Sequence, residues 1–105
     1  MIEHIVALST LGSEEEAVRL AKTLVERRLV ACVNVLPNVR SFYRWDGCLT
    51  DDQEVLLIMK TRGERWEALS AAIEELHPYD VPELISLPLH GGSTSYLSWI
   101  DASLR

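Results

Sequence analysis

The chain has 105 residues, room for one domain with a real core but not for two. Hydrophobic residues make up 48% and charged residues 25%, a balance that excludes disordered and fibrous classes. Its 16 acidic and 10 basic side chains give a formal net charge of −6, with no Lys/Arg stripe to follow a phosphate backbone, so nucleic acid is excluded as a partner.

Residues 2–10 alternate, with Ile2, His4, Val6 and Leu8 on one side and Ile5 and Ala7 on the other, and predict a first strand. No basic region leads a long apolar run there, so no secretory leader is expected. Apolar runs such as residues 55–59 fall far short of the roughly 20 residues a bilayer span needs, so no membrane partner is expected either. Gly12 interrupts the strand, and Ser13 with Glu16 forms a capping-box pattern that opens a helix. Ala17, Ala21, Leu24 and Val25 fall on one helical face. Glu14, Glu15 and Glu16 at the start and Arg27 and Arg28 at the end suit the helix dipole.

Residues 31–46 then turn β-like, carrying Val33, Val35, Val39, Phe42, Tyr43 and Trp45, with Pro37 and Asn38 as a bulge in the middle. Asp46 and Gly47 signal a hairpin turn, which the polar run at residues 50–53 extends, and residues 54–61 form the returning strand. Thr61 and Glu64 repeat the capping box. Trp66, Leu69, Ile73 and Leu76 line the helix that follows until His77 and Pro78 stop it. Residues 84–89 predict a short apolar strand. Gly91, Gly92 and Ser93 lead into a last helix bearing Tyr96, Trp99 and Ile100. The order βαββαβ, with right-handed crossovers, gives an α+β fold of ferredoxin-like type. It is a single two-layer domain over residues 1–105 with a long central hairpin and a short C-terminal helix.

In a two-layer fold the helices cover one sheet face and the other should be polar. These strands are apolar on both sides: Val55, Leu57 and Met59 on one, Leu56 and Ile58 on the other. The hairpin arm is also about three times a usual strand of about 5 residues and carries exposed aromatics. A second subunit is one cover. A hairpin that folds back on itself is the other, and pattern alone does not count the copies. Cys32 and Cys48 sit at opposite ends of that arm, too far apart for a disulfide or a shared metal, which favours a reducing cytoplasm.

The chain carries Ala31-Cys32-Val33-Asn34, Ser41-Phe42-Tyr43-Arg44-Trp45-Asp46-Gly47, Lys60-Thr61, His77-Pro78-Tyr79-Asp80-Val81-Pro82-Glu83-Leu84 and Tyr96-Leu97-Ser98-Trp99 in order. With these five motifs it resembles the CutA family of divalent-cation-tolerance proteins. The resemblance implies a stable homotrimer whose long hairpins join sheets between subunits, similar in architecture to PII signalling proteins. It also implies a role in tolerance of copper(II) and other divalent ions. Some members of the family are thought to hold copper with a thiol at the end of the first strand and paired histidines before Pro-Tyr. Here those positions read Ser9, Leu76 and His77, so only His77 remains as a metal candidate.

His77 has a plainer reading, as a helix-terminal imidazole bonded to the last carbonyls. His4 and His90 have no partner pattern. Tyr43, Trp45, Lys60, Tyr79, Glu83, Tyr96 and Trp99, with Cys32, predict an intersubunit ligand cleft of aromatic walls and a few charges. The plainer reading of those residues is interface packing with a buried ion pair between Lys60 and a carboxylate such as Glu83. No nucleophile with an adjacent base, phosphate loop or carboxylate dyad is present, so a catalyst is not expected, and no obligatory cofactor is implied.

Overall fold

The computed structural model describes residues 3–105; Ile2, which the alternation assigns to the first strand, lies outside them. The elements are β1 (His4–Leu11), α1 (Glu14–Glu26), β2 (Cys32–Trp45), β3 (Cys48–Arg62), a 3-10 turn (Gly63–Arg65), α2 (Trp66–Leu76), β4 (Ile85–Pro88) and α3 (Thr94–Ser103). The sheet runs β2-β3-β1-β4 with every neighbouring pair antiparallel, the ferredoxin-like order. Among the described residues no helix is long and apolar enough to cross a membrane.

Register and burial assign the two faces. On β3, Val55, Leu57, Met59 and Thr61 are buried, while Leu56, Ile58, Lys60 and Arg62 between them are only partly covered. Ala7 and Leu11 of β1 join Leu57 and Met59 in one core with Leu20 and Leu24 of α1 and Leu69, Ala72 and Ile73 of α2. The first helix starts as expected, with the Ser13 Oγ accepting from the Glu16 N–H at 3.0 Å. Its buried face is Ala17, Leu20, Ala21 and Leu24, while Val25 is exposed. The stripe is thus rotated from the predicted one, because residues three and four apart share a helical face.

Two expectations are corrected here. Residues 50–53 are strand, not turn: they pair with Tyr43, Phe42, Ser41 and Arg40 across the hairpin. Ladder hydrogen bonds do not require apolar side chains where an arm stands clear of the core, and the Arg40–Asp51 pair at 2.8 Å ties that stretch. The loop is therefore only Asp46 (φ 50°) and Gly47 (φ 77°), the two-residue type I′ turn that positive φ allows. Thr61 caps nothing; it is fully buried on β3, its Oγ1 donating to the Leu29 carbonyl at 2.8 Å, and α2 begins at Trp66 without a side-chain cap.

The predicted bulge is present. Pairing steps from Leu36↔Leu56 to Val39↔Glu54, so Pro37 and Asn38 oppose Val55 alone, with Asn38 at φ 64° and its Oδ1 accepting from Gln53. The face away from α1 and α2 is covered at one end only. There α3 docks through Ile100 and Leu104 against Ala31. Asp101 accepts from His4 at 2.8 Å and from Arg62 at 2.5 Å. Beyond α3 that face carries Val6, Leu8, Leu56 and Ile58, partly covered, and Leu36, Ile85 and Leu87, exposed.

Candidate functional site

The face that α3 leaves open ends in a cleft of 580 Å³ lined by Thr10, Ser41, Phe42, Tyr43, Trp45, Thr50, Glu54, Tyr79, Asp80, Val81 and Glu83. Its size is that of a small-molecule site. One wall is the hairpin, the other the segment after α2, and its floor is where β1 and β3 leave the core.

His77 anchors the second wall. It is buried, and as the residue ending α2 it gives its backbone N–H to the Ile73 carbonyl. Its Nε2 lies 2.8 Å from the Thr10 carbonyl and its Nδ1 accepts the Tyr79 backbone N–H at 3.1 Å. A carbonyl only accepts, so Nε2 carries the proton and Nδ1 is the acceptor. Both ring nitrogens are engaged, and the imidazole bonds to β1 rather than to the last helix carbonyls. Its edge-on contact with the Tyr79 ring, centroids 4.8 Å apart, sets that ring's direction.

Tyr79 thereby reaches Glu54, its hydroxyl donating to Oε2 at 3.2 Å. Burial, then the neighbouring Glu54 charge and this hydrogen bond, push the Tyr79 phenol up to about 12. Glu54 is 8% exposed and makes no ion pair among the described residues. Opposite, the Tyr43 hydroxyl donates to Asp52 at 3.0 Å, and that bond raises the Tyr43 phenol as well. Gly12 keeps the mouth clear, since a Cβ there would lie 3.1 Å from the Tyr79 hydroxyl oxygen.

Of the residues the sequence assigns to one cleft, Tyr43, Trp45, Tyr79 and Glu83 line it. Cys32, Lys60, Tyr96 and Trp99 do not. Cys32 pairs with Lys60 near the α3 end of the sheet, six strand positions or roughly 20 Å from Glu54. Lys60 Nζ stands 5.9 Å from the Tyr96 ring centroid, and Tyr96 stacks on Trp99 at 5.5 Å. Within one chain Lys60 and Glu83 stand at different sites and make no ion pair with each other. His4, read as unpartnered, holds Asp101. Glu54, Asp52 and Asp80 were not foreseen. For Glu54 the signal was a carboxylate opening an otherwise apolar strand, and Asp52 was masked by reading residues 50–53 as turn.

As a metal centre the single chain is a poor fit. Among the described residues no three His, Cys, Asp or Glu side chains are grouped to hold an ion, and His77 has no free nitrogen. Ser9 is fully buried and its Oγ makes no hydrogen bond among the described residues. Cys32 and Cys48 are both free thiols.

Comparison with known proteins agrees over nearly the whole length. A statistical model of the family described as CutA1 divalent ion tolerance protein matches residues 5–103. A divalent-cation tolerance protein CutA of Thermus thermophilus is 47% identical over 95 residues, covering 90% of this chain and 92% of the relative. That of Pectobacterium atrosepticum is 43% identical over 105 residues, covering 100% and 96%. The crystal structure of CutA1 from Oryza sativa superposes with a TM-score of 0.95 at 41% identity, covering 99% of this chain and 95% of that one.

Proposed function

The chain belongs to the CutA1 divalent ion tolerance family, and from that membership we propose that it acts as a cytoplasmic homotrimer in the response to divalent metal ions, copper(II) first among them. The observation that carries the assembly is the open sheet face. Val6, Leu8, Leu36, Leu56, Ile58, Ile85 and Leu87 form an apolar surface that the described residues cover only in part. Burying such side chains stabilises by about 1.5–3 kcal/mol each when complete, and the projecting hairpin offers unpaired strand edges for the same purpose. Copper(II) in this reading draws ligands from more than one subunit, with His77 exchanging one of its two hydrogen bonds for the metal. The trimer is a binding protein and not a catalyst.

Sedimentation at low micromolar concentration should report a particle three times the 11.9 kDa chain, and Ile58→Asp should dissociate it. A folded single-chain particle refutes the assembly. Titration calorimetry with copper(II) should give sub-micromolar binding that His77→Ala abolishes, and heat no greater than a peptide background refutes the copper reading.

A second reading is favoured by the cleft itself: a signalling or scaffold trimer that takes a small ligand or a partner protein between the hairpin and the Tyr79–Glu83 segment. The buried, ion-pair-free Glu54 supports it. A ligand that raises the melting temperature, with the effect lost in Glu83→Gln, checks this reading.

A further inference from the structure

Building on the assembly reading, we propose that copies of the chain are keyed to one another along β3, Glu54 of one copy pairing with Lys60 of the partner subunit. Strand alternation puts Asp52, Glu54, Leu56, Ile58, Lys60 and Arg62 on the open face. That stripe is acidic at the hairpin end, aliphatic in the middle and basic at the α3 end. Within one chain Glu54 and Lys60 stand six positions, roughly 20 Å, apart and cannot meet.

The outer charges of the stripe are already engaged. Arg62 is held by Asp101 and Glu64, and Asp52 takes the Tyr43 hydroxyl. The inner two have no opposite charge. Glu54 accepts from the Tyr79 hydroxyl, which is neutral, and Lys60 makes no ion pair among the described residues, its ammonium standing 5.9 Å from the Tyr96 ring centroid. One acid and one base are thus left over, each next to the aliphatic pair Leu56 and Ile58. A second copy is the occupant that answers both, because it presents the same stripe with the same two ends. Copies set head to tail bring the acidic end of one stripe to the basic end of the next, and three such contacts close a ring. The aromatics agree with this placement. Tyr43 and Trp45 flank the acidic end and Tyr96 and Trp99 the basic end, all four exposed in the single chain and brought together by the contact. A reversed or slipped copy sets Glu54 against Glu54 or Lys60 against Lys60. The charges therefore fix a register that apolar packing alone leaves open.

The test follows the dissociation constant of the untagged protein by sedimentation over a dilution series, for the native chain, Lys60→Met, Glu54→Gln and the double variant. Each single change should raise that constant at least about tenfold, and the second should add little once the first is made, because the pair is broken only once. A Lys60 series with Glu54 and its Tyr79 bond untouched keeps the test sound if Glu54→Gln fails to fold. Lys60→Arg should assemble like the native chain, Lys60→Met more weakly, and Lys60→Glu least, an order that follows charge and not the length of the side chain. Additive effects of the two single changes, or a Lys60 series that assembles alike, overturn the pair and leave the assembly reading intact. A native protein that sediments as a folded single chain overturns both.

Discussion

Tyr79→Phe deletes one hydroxyl and keeps the ring, and its effect on stability should depend on pH in a direction the structure fixes. The Tyr79 phenol is pushed up to about 12, first by burial, then by the Glu54 charge and the bond to it. In the unfolded chain it titrates near about 10. Between those values the folded protein holds a proton that the unfolded chain has lost, so stability falls as pH rises. The contribution is complete below about pH 10 and gone above about pH 12. Two units correspond to about 2.7 kcal/mol, and solvent screening of a ring at the rim of an open cleft reduces this to about 1 kcal/mol. The stability of the native protein relative to Tyr79→Phe should therefore fall by about 1 kcal/mol across the alkaline window. Ultraviolet titration of tyrosinate should show that the last of the three tyrosines to ionise is missing from the variant. A stability difference that stays flat through the window would refute the reasoning.

Asp101 is held below the ordinary carboxylate range by Arg62 and then by His4, so its stabilisation is present above about pH 4 and lost as pH falls further. Backbone amide exchange in α3 should quicken in acid, and Asp101→Asn should make it fast at every pH. Gly12→Ala sets a methyl against the Tyr79 hydroxyl, loosens its bond to Glu54, and should make Tyr79 ionise earlier in the same ultraviolet titration. Leu57→Ala opens a cavity at a fully buried position shared by both helices and should cost about 2–5 kcal/mol by denaturant titration.

The fold was legible because local signals agreed. Ser13 before the acidic turn, Asp46-Gly47 at the hairpin and Pro37-Asn38 in mid-strand each force a backbone choice that neighbours do not overrule. Thr61–Glu64 misled because the same spacing serves a buried strand residue when a backbone carbonyl, here that of Leu29, is within reach. The hairpin's second arm was read short because its side chains are polar, whereas pairing there is set by the partner backbone. The site was half legible. Tyr43, Trp45, Tyr79 and Glu83 announced themselves as aromatics and charge in distinctive motifs. Within one chain Lys60, Tyr96 and Trp99, grouped with them as a cleft between subunits, stand at the other end of the sheet, because residue type does not report which end of a strand a side chain occupies. Glu54 became visible only once the hairpin's register set it beside Tyr79.

The single extra residue at Pro37–Asn38 acts as a parity switch. Upstream of it even-numbered side chains of β2 share the face of Leu56 and Ile58; downstream the odd-numbered ones do. Deleting Asn38 would restore simple alternation along the arm and leave Val39 opposite Glu54, Tyr43 opposite Thr50 and Trp45 opposite Cys48, each on the face it already takes. The bulge thus sets how the arm bends and not which of its side chains share the face of Glu54.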